Sequence, residues 1–247
     1  MRVAVAGGTG LTGRQVVEAL TARGHEPVVM ARSEGVDLVT GAGLDKALAS
    51  VEAVIDVSNT VTVNRRKAVA FFEAAGRNLL AAEAAAGVRH HVTLSIVGID
   101  RVGLGYYAGK LRQEELVTAG PVPWTVLRAT QFHEFADQVL GLVPGPVALV
   151  PRMRSQPVAV REVAVALAEL AVGPPVGTAP ELAGPRVEEM DDMARRLLFT
   201  RGSRRRVVSP RLPGTTGKAM AGGALLPTGP GMRGVQTFAQ WLADRAR

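Results

Sequence analysis

A doubly wound α/β fold with a mostly parallel sheet is predicted, on three observations. Gly7, Gly10 and Gly13 stand between the apolar residues 3–6 and a helix-like run over 14–22, the pattern that turns a buried strand directly into a helix. Apolar runs without polar alternation, suited to strands buried on both faces, then alternate with helical segments as far as Leu127. A chain of 247 residues that is 47% hydrophobic and 21% charged has material for one large α/β domain, or for such a domain with a small appended lobe.

The elements follow in order. After the first strand, Val16, Val17 and Leu20, with Arg23 near the same spacing, give a helix its apolar face, and Gly24 stops it. Residues 27–31 form the next strand, ending in Arg32 and Ser33; residues 37–39 read as a short third strand and 44–49 as a short helix. Glu52 marks the turn into a buried strand at 53–57, which closes on Val57 and runs into Ser58, Asn59 and Thr60. A long helix is expected over 66–86, with Val69, Phe72, Ala75, Leu79 and Leu80 on its apolar side. Gly76 inside it costs about 1 kcal/mol relative to alanine; close packing against another helix and a tolerated irregularity both account for it. A strand at 91–96, a loop at 98–105, a helix at 106–119 and a strand at 124–127 complete the regular succession.

Beyond Gln131 the composition changes. Residues 141–157 are loop-rich around a strand at 147–150, and helices are expected at 161–172, 185–198 and 216–221. Residues 235–246 read as an amphipathic end helix whose Phe238, Trp241 and Leu242 suit a core or subunit contact better than base stacking. The division expected is a nucleotide-binding core over 1–130 and, over 131–247, a lobe of packing helices, with any strands it returns to the core sheet.

Physics assigns the glycine turn a ligand. Gly7 suits a tight turn, Gly10 leaves room for backbone to approach a diphosphate, and Gly13 lets the helix lie close to the strand. The unpaired amides and positive end of that helix attract phosphate, though one such end contributes only about 0.3–1 kcal/mol and positions the ligand more than it binds it. Arg32 stands where an NAD-specific site usually offers a carboxylate to the ribose hydroxyls. A guidanium there forms charge-assisted bonds to a 2′-phosphate, so NADP(H) is favoured over NAD(H), against the alternative of a merely solvated strand end. Ligands of such sheets bind beyond the carboxyl ends of the strands, where the glycine turn, Arg32, Ser58, Asn59, Ser95 and Thr130 are expected to converge.

Composition narrows the partners. The formal charge is +7 and the sequence pI about 10.7, but much of the excess lies at Arg195, Arg196 and from Arg201 to Arg211, beside proline and glycine. With 4% aromatic residues, a solvated basic face that attracts an anionic cofactor is the better reading, and no specific nucleic-acid partner is expected. There is no cysteine, which removes disulfides, thiolate nucleophiles and thiolate metal ligands. No apolar run approaches 18 residues and the first strand begins at once, so a cytoplasmic protein without a membrane partner is expected. The long apolar helix leaves a homodimer open.

Tyr106 and Lys110 lie four residues apart on one face of a predicted helix. A nearby ammonium depresses a tyrosine pKa and helps the phenol exchange a proton, while Ser95 at the end of the preceding strand can orient a carbonyl oxygen. The three together would polarise a ketone or quinone and protonate its oxygen as hydride arrives. Tyr107 also stands about one turn before Lys110 and competes for the role. His133 and Glu134 pair locally in a loop, no carboxylate cluster marks a metal, and no serine elbow marks an esterase.

The runs at 7–13, 53–56, 94–98, 106–110 and 124–132, together with Arg32, resemble the short-chain dehydrogenase/reductase superfamily, more closely its atypical, NmrA-like and NAD(P)H-binding branch. The segments 156–160 and 237–242 extend the resemblance over most of the chain. It implies a Rossmann core binding NADP(H) and a small, variable carboxyl-terminal substrate lobe. The implied cofactor-binding set is Gly7, Thr9, Gly10, Leu11, Thr12, Gly13, Arg32, Ser33, Val57, Ser58, Asn59, Lys110, Thr130 and Phe132, and the implied catalytic set is Ser95, Tyr106 and Lys110. An NADPH-dependent reductase of a small carbonyl or quinone-type substrate is the first expectation. A non-catalytic redox sensor or scaffold that only binds the nucleotide is the second, and an epimerase a distant third.

Overall fold

A computed structural model describes residues 1–245. The chain divides into two compact units: Met1–Ile96, Leu104–Arg128 and Val160–Pro180 form the first, and Val97–Gly103, Ala129–Ala159 and the residues from Glu181 onward form the second.

In the first unit, strands β1 (Arg2–Ala6), β2 (Glu26–Met30), β3 (Ala53–Asp56), β4 (His90–Ile96) and β5 (Trp124–Ala129) lie in the order β2-β1-β3-β4-β5. β1 pairs in parallel with β2 and with β3, and β3 in parallel with β4. The short strand Gly177–Thr178 joins β5, also in parallel. The chain steps outward from β1 to β2 and then returns past β1 to β3, so the order reverses between β1 and β3. Ligands bind at such a reversal, outside the carboxyl ends of the strands. β2 is the edge strand and carries Pro27.

Helices α1 (Leu11–Thr21), α2 (Leu44–Ala47), α3 (Arg65–Ala86) and α4 (Gly105–Ala119) connect these strands, and Val160–Val172 adds another. α1 packs with Val160–Val172, and α3 with α4. α3 starts where Asn64 Oδ1 accepts from the Lys67 amide at 3.1 Å and stops at Gly87, whose φ is +74°. Its buried side, Ala68, Phe72, Ala75, Gly76, Leu79, Leu80 and Glu83, follows helical spacing, and Val69 is only half-buried. The core of this unit gathers Ala4, Ala6, Met30, Leu44, Leu48, Val54 and Leu79. Leu116 of α4 sits where a Cβ on Gly76 would meet it at 3.1 Å, which favours close helix packing as the reason for that glycine.

Residues 37–39, expected as a strand, form a turn. Asp37 Oδ1 accepts from the Val39 and Thr40 amides at 2.8 and 3.4 Å, and the Asn78 side chain of α3 donates to the carbonyls of Leu38 and Val39 at 3.0 and 2.8 Å. An aspartate that closes its own turn, with the following carbonyls taken by a side chain, leaves no ladder for a strand.

In the second unit Ala129 pairs with Leu182, and Leu182–Ala183 pairs in parallel with Met232–Arg233. Val147–Leu149 pairs with Arg206–Val208, and Arg154–Ser155 with Glu188–Glu189. That last pairing explains a second correction: the helix expected over 185–198 spans Met190–Thr200, because the preceding residues are held extended against Arg154–Ser155. A short helix, Phe135–Gly141, stands just before the region read as loop. The end helix is Phe238–Arg245; Ala246, part of the expected helix, lies outside the described residues. Phe238 and Trp241 are buried and stacked, centroids 5.3 Å apart, against His133. No helix among the described residues is long and apolar enough to cross a membrane.

Candidate functional site

The glycine turn stands at the carboxyl end of β1. Gly7 has φ of +78°, and its amide donates to Met30 O at 2.9 Å, tying the ends of β1 and β2 together. A Cβ on Gly7 would lie 3.0 Å from Val57 O and from Ser58 Cα, and one on Gly13 would lie 2.1 Å from Gly7 O. No other residue allows the strand end, the helix start and the chain leaving β3 to approach so closely. Arg14 Nη1 donates to Thr9 O at 2.7 Å and holds the outer limb of the turn. Gly10 is the N-cap of α1; no side chain caps the helix and no acid stands in its first turn. The first amides, those of Leu11, Thr12 and Gly13, therefore point their partial positive charge outward with no side-chain acceptor.

β2 ends in a 3₁₀ turn, Arg32–Glu34. Arg32 is exposed and enters no ion pair among the described residues, while Ser33 Oγ donates to Glu34 Oε1 at 3.4 Å.

β3 ends in Asp56, which is buried. Its Oδ1 accepts from the Ser58 amide at 2.8 Å, and its Oδ2 accepts from Gln113 Nε2 of α4 at 2.6 Å. Gln113 Oε1 in turn accepts from Lys110 Nζ, which also donates to the Leu94 carbonyl of β4 at 2.5 Å. Lys110 is thus a buried ammonium joined to β3 through one amide and to β4 directly, 5.0 Å from the centre of the Phe72 ring. Burial pushes its pKa down to about 8, against the opposite pull of Asp56 and Glu114.

Tyr106, four residues before Lys110, is half-buried and donates from its phenol to Asn59 Oδ1 at 2.7 Å. Burial raises its pKa, with Tyr107 a lesser cause; the lysine effect expected from the four-residue spacing does not enter. The phenol is therefore neutral throughout the ordinary pH range and able to donate. Tyr107 is buried. α4 reaches this position because Gly109 lies on α3: a Cβ there would meet Phe72 Cδ2 at 2.7 Å and the Ala68 carbonyl at 2.8 Å.

Of the residues singled out in the sequence, the first unit places the glycine turn, Val57, Ser58, Asn59 and Tyr106 around the reversal between β1 and β3, and Arg32 at the adjacent end of β2. Ser95 lies near the end of β4, 1% exposed, and among the described residues neither its Oγ nor the buried Ser58 Oγ has a hydrogen-bond partner. Thr130 and Phe132 belong to the second unit, where Thr130 Oγ1 donates to Gln156 O at 2.6 Å and Phe132 bridges to Val158. Sequence reasoning missed Asp56, Gln113, Arg14 and Gly109 as parts of the site. A carboxylate closing an otherwise apolar strand was the one available signal, at Asp56. Among the described residues no group of three or more histidine or acidic side chains is placed to hold a metal ion.

These features fit a dinucleotide. The turn at Gly7 and Gly13 is a cradle that any Cβ would fill, the helix above it is uncapped, and Ser58 presents a buried hydroxyl without a protein partner.

The model of the NAD(P)H-binding family matches residues 7–171. A curated relative, the (4-alkanoyl-5-oxo-2,5-dihydrofuran-3-yl)methyl phosphate reductase of Streptomyces griseus, is 32% identical over 157 residues. That match takes in 58% of this chain and 51% of the relative, so the chain spans about half of its length. Among solved structures, an NADPH-dependent quinone oxidoreductase of Escherichia coli complexed with NADPH has a TM-score of 0.72 at 19% identity, covering 99% of this chain and 100% of that one. A short-chain dehydrogenase/reductase superfamily protein of Agrobacterium tumefaciens with bound NAD has a TM-score of 0.71 at 19% identity, covering 100% and 96%. With a family model matched over more than half of its length and a parallel sheet that reverses at a glycine turn, the chain belongs to the NAD(P)H-binding family and has the Rossmann-type fold of the atypical short-chain dehydrogenases/reductases.

Proposed function

We propose that the protein is an NADPH-dependent oxidoreductase that reduces a small carbonyl or quinone-type substrate, with Tyr106 as proton donor. The observation that carries this reading is the placement of a neutral, hydrogen-bonded phenol on the Asn59 loop, which leaves β3 beside the glycine turn. The relative that is a reductase and the quinone oxidoreductase of like fold point the same way.

In this reading the amides of Leu11, Thr12 and Gly13 hold the diphosphate, Arg32 takes the 2′-phosphate, and Ser58 and Asn59 flank the nucleotide. The bound nicotinamide supplies the hydride. Tyr106 gives its proton to the substrate oxygen, Ser95 orients that oxygen through its unpaired hydroxyl, and Lys110 holds the nicotinamide ribose.

One observation favours a second reading, a nucleotide-binding redox sensor: Lys110 already spends two of its three donors on Leu94 and Gln113. Turnover separates the two. Loss of nicotinamide absorbance with a panel of quinones, ketones and phosphorylated ketones is expected for the reductase, and Tyr106→Phe should cut the rate by about 10²–10⁴-fold with NADPH affinity kept. Tight NADPH binding without turnover of any member of the panel would establish the sensor instead.

A further inference from the structure

β4 sets His91, Thr93 and Ser95 two residues apart on one face. All three are at most 1% exposed, and His91 Nε2, Thr93 Oγ1 and Ser95 Oγ have no hydrogen-bond partner among the described residues. Buried polar groups in folded proteins are paired with protein or with ordered water, so three such atoms in one file along one strand call for a common cause.

The groups around the file are charged. Glu83 of α3 grips His91 Nδ1 with both carboxylate oxygens, at 2.8 and 3.0 Å. Asp56 of β3 stands in register beside Thr93. Lys110 of α4 bonds the carbonyl of Leu94, next to Ser95. The titratable and charged groups that act on His91 are thus Glu83, Asp56 and Lys110, and those that act on Lys110 are Asp56 and Glu114.

Spacing decides how the file is completed. Two residues along a parallel strand advance about 6.6 Å, too far for one hydroxyl to reach the next. One bridging water spans about 5.6 Å through two hydrogen bonds, and side-chain rotation covers the difference.

We propose that Thr93 and Ser95 hold bridging waters that connect the Glu83–His91 pair to Lys110, so that β4 carries a buried proton path and the pair is the proton reserve of the site. This rests on the reductase reading. There, the substrate C=O π bond is broken, its carbon takes hydride from the reduced nicotinamide, and its oxygen takes the Tyr106 proton. Lys110 restores the phenol through water, and Lys110 is restored by hops from His91 through water, Thr93, water and Ser95; between turnovers, once product has left, a proton from solvent enters the open site and refills the pair by the reverse route. Two shifts in proton affinity agree with this direction of exchange. Burial alone would lower His91, but the Glu83 carboxylate prevails and raises it, while burial brings Lys110 down to about 8, so the two ends of the path approach each other.

The test uses the full chain with Thr93→Val, which keeps the shape and removes the hydroxyl, and Thr93→Ser, which restores it. Water–protein NOEs in the protein without nucleotide are expected to show long-lived waters at the Thr93 and Ser95 hydroxyls, lost in T93V and regained in T93S. With NADPH and a quinone, T93V should lose about tenfold in kcat, with KM and NADPH Kd unchanged, and its solvent isotope effect should rise as proton resupply becomes limiting; T93S should recover. No long-lived water in the wild type, or a folded T93V with unaltered kcat and isotope effect, overturns the path. Waters present in a protein that binds NADPH but reduces nothing would remove the reserve role through failure of the reductase reading, a result distinct from the absence of the waters.

Discussion

Lys110 keeps an ammonium where 4% of the residue is exposed, and that has a pH signature. The unfolded chain holds this proton up to the ordinary lysine range, whereas the fold releases it at about 8. Between those limits the unfolded state binds more protons, so stability rises with pH across the window and is level below it. The shift corresponds to about 3 kcal/mol. In urea titrations stepped from about pH 7 to about pH 10.5, Lys110→Met should flatten that rise; an undiminished slope in the variant would assign the titration to another group. Arg32 gives a second residue-scale expectation. A guanidinium on a 2′-phosphate contributes as a charge-assisted bond, so Arg32→Glu should weaken NADPH by about 10–100-fold while NADH affinity holds or improves, read by nucleotide fluorescence. Equal losses for both nucleotides would show that Arg32 does not read the phosphate. The glycine turn was legible from sequence because its reasons are local: Gly7, Gly10 and Gly13 act within seven residues. The Asp56–Gln113–Lys110 connection was not, because it joins side chains 57 residues apart and no spacing rule predicts a contact across that distance.

Helix α4 owes its position to a missing side chain. A methyl group on Gly109 would overlap Phe72 and the Ala68 carbonyl of α3, and backbone cannot yield as a flexible side chain does. Gly109→Ala is therefore expected to cost about 1–3 kcal/mol by overpacking, seen as a lowered urea midpoint. It should also cut turnover, since Tyr106 and Lys110 ride on the displaced helix. Stability lost with activity intact would show that the site tolerates movement of α4. At this scale the regular strands and helices of residues 1–128 were readable because hydrophobic period and turn residues agreed with the final packing. The strand expected at 37–39 failed because Asp37 and Asn78 supply hydrogen bonds that no apolar pattern records, and the helix expected from 185 failed because its first residues found a strand partner 34 residues earlier.

Charge is unevenly spread over the molecule. The second unit holds 15 of the 29 basic residues but only 9 of the 22 acidic ones, and so carries +6 of the net +7. A net cationic protein draws an anionic ligand from beyond contact range, and salt weakens the draw once the screening length falls to about 10 Å, near 0.1 M. The NADPH association rate should fall severalfold between about 0.01 and 0.3 M salt, measured by stopped-flow fluorescence, while the KM of an uncharged quinone stays constant; a salt-insensitive association rate would mean that contact-range bonds alone guide the nucleotide. The uneven charge was visible in the sequence as an arginine run. Its confinement to one unit was not, since that unit is assembled from three separated stretches.

With residues 37–39 folded into a turn, β2 has no strand on its outer side among the described residues, and an unpaired row of amides and carbonyls is a template for sheet growth between molecules. Pro27, second in that strand, offers no N–H and interrupts the row. The proline therefore guards this edge of the sheet against stacking strand to strand into aggregates.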